Sequence, residues 1–171
     1  MPNDRNAPPP DPAIAVGEGL AAAYRAVAAR MRDLPVYNPR LAVEAVGFRT
    51  WEGVALGVMV TPWFMNLVLA VVPGGPALPD ARVGDSREVR FPAGTIAFTV
   101  GALAGVRRLD AASLFSPMAG FDAPESAREA AAAALAAVLD QPPADTDRVS
   151  CTAPPPAPRD RRALLFGRGA S

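Results

Sequence analysis

Apolar residues along this chain recur first with a helical period, then with a period of two, then with a helical period again. Leu20, Tyr24, Val27, Met31 and Leu34 lie four, three, four and three residues apart, while Arg25, Arg30 and Arg32 fall off that stripe. This spacing predicts an amphipathic helix over about Val16–Arg32. Leu34-Pro35 ends it, because a residue before proline is pushed out of the helical region. Val46, Phe48 and Thr50 then alternate with Gly47, Arg49 and Trp51, and past Glu52-Gly53 so do Val54, Leu56, Val58 and Val60 with Ala55, Gly57, Met59 and Thr61. Period two with a short return predicts an antiparallel hairpin. Leu67–Val72 reads as another strand, closed by Pro73-Gly74-Gly75-Pro76. Arg87–Phe91 and Thr95–Val100 flank a Pro92-Ala93-Gly94 turn, and Val106–Phe115 is a last strand after Ala104-Gly105.

A second helix is expected near Asp122, with Asp122 as N-cap, Pro124 in the first turn and Glu125 completing a capping-box-like start. Ala131, Leu135, Val138 and Leu139 form its apolar face, and Pro142-Pro143 stops it. The chain thus divides into a disordered Pro-rich tail at 1–13, an α+β domain at 14–141, and a Pro-rich linker and tail at 142–171. The fold class is α+β: an antiparallel β-sheet flanked by an N-terminal and a C-terminal helix.

No charged residue occurs between Glu52 and Asp80, and the centre of that run is Thr61-Pro62-Trp63-Phe64-Met65-Asn66-Leu67. The run is long enough to span a bilayer. Pro62, Asn66, its glycines and its alternation favour strands instead, and an isolated strand pair cannot cross lipid with its edges unsatisfied. Two readings of the aromatic cluster remain open. Trp63, Phe64 and Met65 fill a core, or they line an apolar groove for a peptide, since methionine adapts its shape and tryptophan supplies area.

Composition narrows the chemistry. The 171 residues carry 17 basic and 17 acidic side chains, every basic one an arginine, which gives no reason to expect a nucleic-acid partner. The absence of histidine removes Ser-His-Asp and Cys-His catalysis and His-bearing zinc sites. The single Cys151 permits no intrachain disulfide and fits a reducing cytosol. Ser113 and Ser116 have no base, and the carboxylates are scattered, so no catalytic, cofactor or metal site is expected. Residues 1–13 lack the apolar run of a secretory signal peptide, so export by that N-terminus is not expected. Near the C-terminus, Arg161-Arg162-Ala163-Leu164-Leu165-Phe166 is a basic-apolar segment behind a flexible linker.

Four ordered blocks carry a family resemblance. They are Thr61–Leu67, Gly94-Thr95-Ile96-Ala97-Phe98-Thr99-Val100-Gly101, Ser113-Leu114-Phe115-Ser116-Pro117 and Arg161–Arg168. Over about residues 17–169 the chain resembles the HybE/HupJ-type [NiFe]-hydrogenase assembly chaperones. The resemblance implies a non-catalytic, cytoplasmic accessory protein without cofactor. Such a protein binds the hydrogenase small-subunit precursor and its twin-arginine signal peptide, delays export, and works with other maturation proteins. It also implies a two-layer architecture like that of secretion chaperones. Family members often have Cys before the Ser-Leu block; here Ala112 stands there, and no thiol role is carried over. The partner-binding residues expected on this reading are Trp63, Phe64, Met65, Asn66, Leu67, Ser113, Ser116, Arg161, Arg162, Leu164, Leu165 and Phe166. Arg161-Arg162 with its apolar neighbours looks like a twin-arginine core, so the tail is expected to occupy the protein's own groove, and truncation after Pro158 to tighten client binding. A scaffolding subunit that never touches the signal peptide is the alternative reading; an enzyme or redox carrier is disfavoured by the missing histidine and lone cysteine.

Overall fold

The computed structural model describes residues 9–140. In order, the elements are α1 (Pro12–Met31), β1 (Glu44–Trp51), β2 (Val54–Val60), β3 (Met65–Val71), β4 (Ser86–Phe91), β5 (Gly94–Leu103), β6 (Val106–Phe115) and α2 (Pro124–Leu139). All strands join one sheet in the order β1-β2-β3-β6-β5-β4, with every neighbouring pair antiparallel. The uncharged run expected to form strands is β2, a tight turn and β3, and no described helix is long and apolar enough to cross a membrane.

Both faces of β2 and β3 are buried because the two helices take opposite sides. Leu56, Val58, Leu67 and Leu69 pack with Ala127, Ala131, Leu135 and Val138 of α2. Ala55, Met59, Val68 and Ala70 pack with Leu20, Ala21 and Ala28 of α1. The layering is therefore helix, sheet, helix over the β1–β3 half. The sheet also curls toward α2. Trp51 at the end of β1 stacks on Phe91 at the end of β4, with centroids 4.6 Å apart, so the two outermost strands meet over the α2 face. The Ala93 amide donates to the carbonyl of Val138, tying the β4–β5 turn to the end of α2.

Three details depart from the sequence expectation. α1 starts at Pro12, inside the stretch expected to be a disordered tail, because the Asp11 side chain accepts from the Ala13 amide at 2.9 Å and Pro12 is preset for the first helical position. α2 is capped by Ala123 with no side-chain cap bond; Asp122 instead pairs with Arg40, and Ser126 Oγ donates to the Ala123 carbonyl at 2.7 Å. Val46 and Phe48 do not share a face, because a bulge between Val46 and Arg49 intervenes, with Gly47 at φ +66°. An extra residue in one strand reverses which side the next side chain takes. Val46 thus packs on the α2 side, and Phe48 turns toward α1.

Candidate functional site

Three connections meet at one end of the sheet: residues 32–43 between α1 and β1, the β2–β3 turn, and residues 116–123 between β6 and α2. Thr61 fixes the turn. Its buried hydroxyl accepts from the amides of Phe64 at 2.9 Å and Trp63 at 3.3 Å, and its own amide donates to the Phe64 carbonyl at 2.8 Å. Pro62 suits such a turn because its φ is already set.

Asn38 ties the three connections together. Its Nδ2 donates to the carbonyls of Met118 at 3.0 Å and Phe121 at 2.8 Å, and its backbone amide donates to the Pro62 carbonyl at 2.8 Å. Its Oδ1 accepts from the Arg40 amide at 3.1 Å. The only mark of this tie in the sequence is an asparagine between Pro35 and Pro39, which local periodicity passes over. Aromatic rings continue the junction. Tyr37 stacks on Trp63, Trp63 meets Phe64 edge to face, and Phe64 meets Tyr24 of α1 likewise. Burial pushes the Tyr24 phenol above its ordinary value of 10.0.

Two clefts open at this junction and share Tyr37 and Pro39. One, of about 430 Å³, is mainly apolar, walled by Pro35, Val36, Pro117, Ala119 and Phe121, with Asn38 and the Asp122-paired Arg40 also lining it. Three large apolar side chains stand exposed on the elements that form this end: Leu34 at 45 %, Val36 at 44 % and Phe115 at 44 %. Phe115 meets Phe121 edge to face. The other cleft, of about 640 Å³, lies against the C-terminal half of α1 and carries Arg25 and Arg32 over Leu41 and Pro62.

The structure separates the residues singled out in the sequence. Met65 and Leu67 are fully buried and Trp63 is 9 % exposed, so these three are core. Phe64 and Asn66 are half-buried, and Ser113 and Ser116 are exposed. Asn66 and Ser113 face each other across β3 and β6, and the Asn66 Oδ1 is buried with no hydrogen-bond partner among the described residues. Arg161, Arg162, Leu164, Leu165 and Phe166 lie outside the described residues. Sequence reasoning missed Val36, Tyr37, Asn38 and Phe121, which belong to connections rather than to periodic segments.

Apolar surface at this junction, with no acid, base and nucleophile brought together among the described residues, suits a protein that handles other polypeptides, and the comparisons agree with that class. Residues 15–167 match the family described as [NiFe]-hydrogenase assembly, chaperone, HybE, and the chain belongs to that family. It is 46% identical to the hydrogenase expression/formation protein HupJ of Bradyrhizobium diazoefficiens, over 95% of this chain and 94% of that protein. It is 33% identical to the hydrogenase-2 operon protein HybE of Escherichia coli K12, over 87% of each. The solution structure of Escherichia coli HybE superposes with a TM-score of 0.60 at 30% identity, covering 94% of this chain and 92% of that one. The resemblance read from the four sequence blocks is thus borne out: this is a hydrogenase assembly chaperone of the HybE type, with the expected α+β fold.

Proposed function

We propose that this chaperone acts without catalysis in the cytoplasm, holding the hydrogenase small-subunit precursor and its twin-arginine signal peptide until assembly is complete. The observation that carries the reading is the apolar cleft beside Phe121, with Leu34, Val36 and Phe115 exposed at the same end of the sheet. A signal peptide is an apolar segment behind an arginine pair, and a preformed apolar groove is the ordinary receptor for such a segment. On this reading Phe64, Asn66, Ser113 and Ser116, which are half-buried or exposed, remain candidate contacts, while Trp63, Met65 and Leu67 act through the core.

Calorimetric titration with the precursor, the leaderless small subunit and the isolated signal peptide tests the proposal. The account expects the signal peptide to bind, and Val36→Asp with Phe115→Asp to weaken it at least tenfold without lowering the melting temperature. Binding of the leaderless protein alone, with the isolated peptide ignored, would favour the scaffolding reading instead.

A further inference from the structure

We infer that the second cleft, under the C-terminal half of α1, takes an acidic-apolar segment of the client outside its leader: a carboxylate side chain next to a large apolar one. The inference rests on the chaperone reading and names a partner chemistry for a surface distinct from the apolar cleft.

Arg25, Ala28 and Arg32 follow at i, i+3 and i+7, which places them along one face of α1. The small Ala28 leaves a slot between two guanidinium groups, and Leu41, Val43 and Pro62 line its floor. Arg25 is held across the slot, its Nη2 donating to the Val43 carbonyl at 3.3 Å, with its remaining N–H groups left for a ligand.

Among the described residues, four arginines elsewhere are matched with carboxylates, whereas Arg49, Arg82 and Arg90 are not but line no cleft with a second unpaired arginine over an apolar floor. Arg40 pairs with Asp122, Arg128 with Glu44 and Glu125, and Arg87 and Arg108 both clamp the buried Asp110. Among the described residues, Arg25, Arg30 and Arg32 form no ion pair, and the neighbouring acidic side chain on this stretch is the exposed Asp33. The cleft is therefore basic over an apolar floor. Guanidinium groups bind carboxylates through paired, charge-assisted hydrogen bonds, and an apolar surround strengthens them. The same charge disfavours the arginine pair of a twin-arginine leader, so the two clefts sort the client's segments: leader to the apolar one, acidic segment to the basic one.

The test uses the full chain, with the purified leaderless small subunit and the isolated signal peptide as separate probes, titrated at low and high salt. Three proteins are compared: wild type, Arg25→Glu with Arg32→Glu, and a control, Arg49→Glu with Arg82→Glu, reversed at exposed sites away from the cleft. The inference expects the cleft pair to lose roughly tenfold or more in affinity for the leaderless protein, with its salt dependence flattened. The isolated signal peptide should bind the cleft pair at least as well as wild type, and the control should bind the leaderless protein as wild type does. Ala28→Leu, which fills the slot without touching charge, should reproduce the loss. Unchanged affinity of the cleft pair, or an equal loss in the control, would overturn the inference while leaving the chaperone reading intact. A wild type that binds neither probe would remove both.

Discussion

Phe48 lies between two glycines. A Cβ built on Gly17 of α1 would fall 2.6 Å from the Phe48 Cγ, and one on Gly57 of β2 would fall 2.3 Å from its Cδ2. The ring therefore sets how closely α1 approaches the sheet, and neither glycine can gain a methyl without displacing it. Gly17→Ala would ordinarily help a helix by about 1 kcal/mol, yet here it should destabilise, as should Gly57→Ala, by about 1–3 kcal/mol each. Urea unfolding reads the sign directly. Adding Phe48→Ala to Gly57→Ala should cost less than the sum of the two single changes, because the clash goes with the ring. At the junction, Asn38→Ala strips donors from two carbonyls at once and should cost about 2 kcal/mol or more. Trp63→Ala should cost about 3–5 kcal/mol as a core truncation, so a loss of client binding by that variant reports folding as well as contact.

α1 shows how an element can be legible in its middle and hidden at its end. The stripe of Leu20, Tyr24 and Val27 marks the helix, but Asp11-Pro12 sits within a Pro-rich stretch that composition alone assigns to a tail. The deciding contacts are non-local: the Asp11 carboxylate accepts from the Thr50 amide at 2.8 Å and the Thr50 hydroxyl at 2.6 Å, as well as from the Ala13 amide at 2.9 Å. The bond from the Thr50 side chain, then those from the Thr50 and Ala13 amides, hold the Asp11 carboxyl below its ordinary value of 3.8. A group whose pKa is lowered by folding stabilises the fold above its unfolded value, and that contribution disappears as pH falls through the folded one. The stability difference between wild type and Asp11→Ala should therefore be present at neutral pH and vanish on acidification below 3.8. A difference that persists unchanged at low pH would count against this cap. The strands were easier to read. The hairpin of β1 and β2 follows from alternation and the Glu52-Gly53 turn, and β6 runs over the expected Val106–Phe115. β2 and β3 are apolar on both faces, so their alternation cannot say which helix covers which side. Only the bulge at Gly47 and the two separate cores reveal that.

For the molecule as a unit, the sequence exposed the class of protein but not the proposed docking surface. Thr61–Leu67 marks the right end of the sheet, yet its most apolar members, Met65 and Leu67, point into the core. Of the apolar side chains exposed at this end, Leu34 and Val36 come from a connection and Phe115 from the end of β6, and proximity brought about by folding rather than any run of residues joins Val36, Tyr37 and Phe121 around one cleft. The account's central claim is that clients dock on this junction of three connections. Amide hydrogen exchange of the full chain, with and without the small-subunit precursor, tests it most directly. Docking here predicts new protection at residues 32–43, 61–64 and 115–123, with β4 and β5 unchanged. Protection confined to β4 and β5, or none at the junction despite saturating precursor, would contradict it.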